Sequence, residues 1–298
     1  MRFRFLKIMN FSKPVVAGVD LTPVSAQVIA HASHLAAAEG VPLVVVYVVF
    51  PGLLPHRPGC KPHPDTVDAA VRQATTKLAN CVAENAVQAD VEQHVLVGRP
   101  ADEIHGLIDR LDAGLLVISA NHPNRKRLGT IASRCVRTVH SDVLLLRDRK
   151  HGPFRKVAAC VDLSKTSQVV LARAIEETEE ATELEIVHVM YPPDRDTWGE
   201  VLGEEAKKQA MRHREEIDAA MQRLVDGFAE ELKGRKWKSS VLESAVPSVE
   251  LTCHIADIGA DLAVLGTRGH SKLGAVFLGT NAERLLHDAP VSVLAVRA

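Results

Sequence analysis

The feature that most restricts the fold of this chain is that one order of elements occurs in it twice. The valine-rich run PVVAGVD ends at Asp20 and leads through Thr22 and Ser25 into the helical pattern VSAQVIAHASHLAAAEG. KVAACVD ends at Asp162 and leads through Ser164 into SQVVLARAIEETEE. Each reads as a buried strand, a capping turn and a helix. LVVVYVV and LEIVHVM follow as second strands, running into Phe50-Pro51 and Tyr191-Pro192. After a loop and a long helix, VLVGRPADEI answers VLESAVPSVEL and GLLVIS answers DLAVLG. Gly129-Thr130 with Arg134 answers Gly279-Thr280 with Arg284, and DVLLLR and PVSVLAVR close the two copies.

Matched positions stand 142 apart at Asp20/Asp162, 141 at Val48/Val189, 147 at Pro100/Pro247 and 150 at Gly129/Gly279. The second copy's insertions therefore fall in the long helical region and in the glycine loop, where extra length is tolerated. A chain of 298 residues exceeds the usual single domain. The expected domains are residues 1–150 and 151–298, joined by the charged linker RDRKHGPFRK with its Gly152-Pro153. Strands alternating with helices require a mainly parallel sheet with helices on both faces and right-handed crossovers. The expected fold class is α/β, two tandem doubly wound domains.

Composition narrows the function. Hydrophobic residues at 46% and charged residues at 24% describe an ordinary globular chain, and a net charge of −1 gives no basic field for nucleic acid. Five scattered cysteines without a CxxC pair fit free thiols in a reducing, cytoplasmic setting. The opening MRFRFLKIMNFSK has no continuous apolar core and no small-residue cleavage site, which reads as a short extension. VPLVVVYVVFPGLLP is too short for a membrane span and is interrupted by Pro51 and Gly52.

The stretch LGTRGHSKLGAVFLGTNAERLL, residues 265–286, carries the candidate chemistry. It follows a strand, and in an open doubly wound sheet ligands sit outside the carboxyl ends of the strands, where strand order reverses. Gly266 and Gly269 can take backbone conformations closed to other residues and let N–H groups approach an anion. Gly279-Thr280 opens a helix whose unpaired N–H groups and dipole favour a phosphate, and the Thr280 hydroxyl can donate to it or face a bound cation.

The spacing Gly-x2-Gly-x9-Gly-(Ser/Thr), complete here as Gly266, Gly269, Gly279 and Thr280, resembles the ATP-binding signature of the universal stress protein family. The resemblance extends to Val161, Asp162 and Ser164 of the first strand and its turn, to His188 and Val189 ending the second, and to Pro247 before the third helix. It covers both halves, so the chain resembles a tandem universal stress protein. The resemblance implies Rossmann-like domains of five parallel strands, related by a pseudo-two-fold. It further implies a nucleotide site in which Asp162 and Ser164 serve the ribose or adenine edge, Val189 lines the adenine slot and the glycine loop grips the phosphates. ATP, with Mg, is the expected cofactor of the second half, and a stress-response or regulatory role the expected function.

The first half departs from the pattern. In SANHPNRKRLGT, Ser119 and His122 replace the first two glycines and the loop is three residues shorter, while Asp20, Val48, Gly129 and Thr130 remain. Side chains at Ser119 and His122, with Pro123 stiffening the turn, obstruct the close backbone approach a triphosphate needs. This half is expected to bind ATP poorly; its NRKR run, Asn124 to Arg127, could attract an anion, but a short charge run usually reads as a solvated loop.

No nucleophile, base and water-positioning set stands out, so no catalytic residue is assigned; His270 is the nearest candidate for slow ATP turnover. The alternative is a scaffold or small-molecule-binding module without nucleotide. PHRPGCKPHPD holds His56, Cys60, His63 and Asp65 at a spacing no standard zinc site uses, so no metal is expected there. The apolar closing strands suggest an intramolecular pseudo-dimer, with a homodimer of chains as a further option.

Overall fold

The computed structural model describes residues 13–55, 61–87, 91–122, 125–147, 154–178, 182–192, 195–267 and 279–297. The chain divides into two compact units, Met1–Gly152 and Pro153–Ala298.

The first unit runs β1 (Val15–Val19), α1 (Val24–Glu39), β2 (Leu43–Val49), a 3₁₀ turn (Pro51–Leu53), α2 (Pro64–Asn85), β3 (Val91–Val97) and α3 (Pro100–Leu111). It continues with β4 (Leu115–Ser119), β5 (Asn121–His122), β6 (Arg125–Leu128), α4 (Thr130–Thr138) and β7 (Asp142–Leu146). β1 pairs in parallel with β2 and β4, β2 with β3, and β4 with β7. The order is β3-β2-β1-β4-β7, which reverses direction between β1 and β4. Residues 43–46 of β2 and 115–118 of β4 are buried without a break. Such continuous apolar runs belong to parallel strands covered on both faces. β3 at the edge instead exposes Glu92 and Gln93, charged and polar groups that discourage pairing with another chain.

α1 packs on α2, and α3 on α4; right-handed crossovers put the first pair on one face of the sheet and the second on the other. Gly40 ends α1 at φ +67°, its N–H turning back to the carbonyls of Ala36 and Ala37, a left-handed cap that glycine makes without a Cβ penalty.

The second unit repeats the plan with β8 (Lys156–Cys160), α5 (Thr166–Glu176), β9 (Glu183–Met190), α6 (Arg195–Asp226), α7 (Ala229–Leu232), β10 (Lys236–Glu243), α8 (Pro247–Asp257), β11 (Leu262–Gly266), α9 (Thr280–Asp288) and β12 (Ser292–Val296). Its parallel pairs give the order β10-β9-β8-β11-β12. Pro247 stands at the first position of α8, where its missing N–H costs nothing and its fixed φ suits the helix. Among the described residues no helix is long and apolar enough to cross a membrane.

One sequence expectation needs correction. The run NRKR is not simply a solvated loop, because residues 125–127 belong to β6, which pairs antiparallel with β5 through Asn121 opposite Leu128 and His122 opposite Arg125. Leu128 is buried and the Gly129 N–H donates to the Ala120 carbonyl at 3.1 Å, so an apolar anchor and a backbone bond hold the charged strand down. Pro123 and Asn124 lie outside the described residues.

Candidate functional site

In the second unit the strand order reverses between β8 and β11, and a cleft of about 400 Å³ opens at their carboxyl ends. That volume falls in the range of small-molecule sites. β8 and the turn after it supply Cys160, Val161 and Asp162; β9 supplies His188 and Val189; α8 supplies Pro247 and Leu251. The far wall is Leu265, Gly266 and Thr267, and then Gly279 and Thr280 at the start of α9. Of the residues singled out in the sequence, Asp162, Val189, Gly266, Gly279 and Thr280 line this one cleft. Ser164 does not line it, and Gly269 and His270 lie outside the described residues.

The turn after β8 is organised by Asp162. Its Oδ1 accepts the Ser164 N–H at 3.0 Å and the Ser167 hydroxyl at 2.9 Å. Ser164 in turn accepts the Thr166 N–H at 3.3 Å with its own hydroxyl, so it shapes the entry to α5. Leu163 pays for this tight path with φ +59°, a left-handed conformation that costs an L-residue about 1–2 kcal/mol. These two hydrogen bonds hold the Asp162 side chain in place beside the cleft. Ser167, buried in the first turn of α5, was not singled out in the sequence; the Asp-x4-Ser spacing, shared with Asp20 and Ser25, was the signal available.

Gly279 opens α9 as its sequence position suggests, whereas Gly266 differs from expectation in how it works. Gly266 is the last residue of β11, paired with Val296, and is not among the positive-φ glycines. Gly279 caps α9 at φ −61° and ψ 139°, a conformation open to every L-residue. Neither therefore supplies an unusual backbone conformation, and a side chain at Gly279 would not strain the chain. A Cβ built on Gly279 meets no atom of the described residues within 4 Å. Gly279 thus leaves open space in front of a helix terminus. The loop is closed beneath it, where the Gly279 N–H reaches the Thr267 carbonyl at 3.4 Å and Thr267 bonds the Val296 carbonyl through both its N–H (3.0 Å) and its hydroxyl (3.2 Å).

His188 and Cys160 are turned toward structural roles. His188 Nδ1 lies 2.9 Å from the Val161 carbonyl; a carbonyl only accepts, so Nδ1 carries the proton. Burial pushes the Cys160 thiol up to about 12, so it is a packing group and not a nucleophile at neutral pH. In the loop read for metal ligands, His56 and Cys60 lie outside the described residues. His63 caps α2, its Nδ1 accepting the Asp65 N–H at 3.3 Å.

In the first unit Asp20 Oδ1 accepts the Thr22 N–H at 3.0 Å, the Thr22 hydroxyl at 2.6 Å and the Ser25 hydroxyl at 3.0 Å. Leu21 matches Leu163 at φ +58°, and Gly129 caps α4 at φ −67° and ψ 153°. The two units share the turn and the helix start, and differ in the loop between.

Two five-stranded doubly wound units, each with an acid-centred turn and a glycine-capped helix at the switch point, define a tandem α/β protein, with a cleft at the switch point of the second. The family model described as the universal stress protein family matches residues 12–147 and again 153–297, and the chain belongs to that family. A universal stress protein of Mycobacterium tuberculosis strain H37Rv is 26% identical over 95% of this chain and 96% of its own length. One from Thermus aquaticus is 30% identical over 48% of this chain and 99% of its own. Among solved structures, a universal stress protein from Archaeoglobus fulgidus shares the fold with a TM-score of 0.64 at 18% identity, covering 96% of both chains. A protein described as functionally unknown from Pseudomonas aeruginosa does so with a TM-score of 0.67 at 15% identity, over 96% of this chain and 92% of that one.

Proposed function

We propose that the second unit is an ATP site and that the protein acts as an ATP-responsive regulatory or stress-response protein, with the first unit as a companion of the same fold that does not hold ATP. The observation that carries this reading is the convergence on one cleft of Asp162, Val189, Gly266, Gly279 and Thr280, which come from four separate segments of the chain. Val189 offers an apolar wall for a base, and the Asp162 carboxylate a hydrogen-bond acceptor for ribose hydroxyls. Gly266 and Gly279 leave room against the backbone, and the start of α9 presents N–H groups and the positive end of a helix dipole to phosphate. Gly269 completes the cradle in this reading. The Thr280 hydroxyl would share Mg with the phosphate oxygens, which spreads the charge of the triphosphate.

The experiment is calorimetric titration of the full chain with Mg-ATP, together with mass spectrometry of any ligand that copurifies. One ATP per chain is the expected result. A stoichiometry of two, or no binding with a non-nucleotide ligand carried through purification, overturns the assignment.

A further inference from the structure

We propose that the first unit carries a surface site for a divalent transition cation of the zinc class, built by His105, Asp109 and His140. His105 and Asp109 sit four residues apart on α3 and so share one face of the helix. His140 comes from the connection between α4 and β7. One donor atom from each of the three lies within 4.8 Å of the others. The two imidazoles meet edge to face, with centroids 5.8 Å apart and planes at 62°.

The state of His105 points to a ligand. Its Nε2 stands 3.1 Å from Asp109 Oδ2, close enough for an ion pair, while the nitrogen atom itself is inaccessible and makes no hydrogen bond. A cation between the two would accept a lone pair from each and needs no N–H on the line between them. Zinc bonds of about 2.0–2.2 Å to nitrogen and oxygen place tetrahedral ligand atoms about 3.3–3.6 Å apart. Asp109 and His140 are exposed, so small side-chain rotations close the set around an ion. Two imidazoles and one carboxylate suit zinc and its neighbours, and not magnesium or calcium, which take oxygen ligands. Three protein ligands leave at least one coordination position to water.

The site is a feature of this unit and not of the fold. The matching positions of the second unit are Thr252, Ala256 and Pro290, none of them a usual zinc ligand. It also lies away from the ligand side of the sheet, because His140 precedes β7 and therefore stands at the amino ends of the strands. Its two halves are held in register by the packing of α3 on α4 and by the ion pair from Arg134 to Asp102 at 2.7 Å. An ion bound here ties the last turns of α3 to the chain entering β7, and binding to the folded state raises its stability by mass action.

The test is calorimetric titration of zinc into the full chain after removal of metal with a chelator. The parent is compared with His105→Ala, His140→Ala and Asp109→Asn, and with Cys60→Ser combined with His63→Ala as a control for the other histidine-bearing loop. One zinc per chain is expected in the parent and in the control, with affinity reduced at least about tenfold in each site variant, since even outer-shell partners cost 10–100-fold. Zinc should also raise the unfolding temperature of the parent and the control but not of the site variants. Melting curves without metal identify any variant that fails to fold; the exposed residues Asp109 and His140 keep the test decisive if His105→Ala does. No binding by the parent, undiminished binding in both His140→Ala and Asp109→Asn, or loss only in the Cys60/His63 control overturns the proposal.

Discussion

Asp20 and Asp162 receive matching hydrogen bonds, from the N–H two residues on and from a buried serine five residues on, and each is followed by a leucine held in the left-handed region. The segments between the fourth strand and the last helix differ in length and sequence. After Ala120 the first unit runs through the β5–β6 strand pair back to Gly129, whereas after Thr267 the second takes three residues more before Gly279. The closing bonds are nevertheless equivalent, from Gly129 to the Ala120 carbonyl at 3.1 Å and from Gly279 to the Thr267 carbonyl at 3.4 Å. The acid-centred turn is thus common to both copies of the fold, and the segment free to specialise is the one strung between the fourth strand and the last helix. A reading of function from Asp162 alone would apply to both halves, and only the glycine loop separates them.

A second contrast lies in the core. Glu185 of β9 is 1% exposed; its Oε1 accepts from Ser240 Oγ at 2.8 Å and from His254 Nε2 at 2.8 Å, and its Oε2 forms an ion pair with Lys238 Nζ at 2.9 Å. The matching residues of the first unit are Val44 and Leu107, both buried. Burial pushes the Glu185 carboxyl upward, but the bonds from Lys238, Ser240 and His254 outweigh it and hold the group below the ordinary carboxylate value of 4.5. The largest effect predicted here comes from transplanting the acid. Val44→Glu is paired across the strands with Glu92 where Glu185 has Lys238, has Leu107 at the position matching His254, and finds His94, at the position matching Ser240, already engaged by Glu92; it should cost about 3–5 kcal/mol. Glu185→Val, which strands Ser240 and His254, should cost about 2–4 kcal/mol. Adding His254→Leu should recover most of that loss, since a packed apolar pair replaces a buried polar one at little cost. Urea unfolding of the full chain measures all three. A native carboxyl held below its unfolded value contributes stability above pH 4.5, and that contribution disappears as pH falls from 4.5 through the native value. Glu185→Val should accordingly flatten the acid limb of the stability profile.

The ligand side offers a matched pair of substitutions. Gly129 and Gly279 have nearly the same backbone angles, and a Cβ on either meets no described atom within 4 Å. Among the described residues a β-carbon is therefore admissible at both. A loss of ATP affinity in Gly279→Val at an unchanged unfolding temperature reports on the ligand and not on the fold. A drop of at least about tenfold, or ~1.4 kcal/mol, is expected there and almost none in Gly129→Val. Equal losses in the two variants, measured by titration with Mg-ATP, would make the first unit a working nucleotide site.

The strands were legible because buried parallel strands are continuous apolar runs, as LVVVYVV is in β2, and because the repeat let each half check the other. The cleft residues were legible because their spacing falls at strand ends and helix starts. What stayed hidden depends on partners far apart in sequence or on local geometry. Glu185 meets His254 across 69 positions, and a lone glutamate in a strand reads as surface. Gly266 was assigned conformational freedom, whereas it sits in a strand without a positive φ. The β5–β6 strand pair was masked by NRKR, whose charge obscured the anchoring of Leu128.

The smallest effect tests whether the acid-centred turn is common equipment with a local use. Ser167→Ala and Ser25→Ala each remove one hydroxyl from an aspartate that keeps the backbone N–H two residues on, and each serine is buried at 1% exposure. Each should lose about 1 kcal/mol of stability, the usual net worth of one hydrogen bond. The turns should remain formed, because the left-handed leucine and the N–H bond persist in both. Their consequences for ligand should part company. In the second unit Asp162 lines the cleft, and releasing its Oδ1 from Ser167 lets the carboxylate swing away from the position in which ribose would meet it, so ATP affinity should fall a few-fold. If the first unit holds no ATP, as proposed, the same release there has no ligand to affect, and titration of Ser25→Ala should reproduce the parent affinity. If both variants bind ATP as the parent does, the turn is structural in both halves, and recognition in the second rests on Val189 and the glycine loop alone.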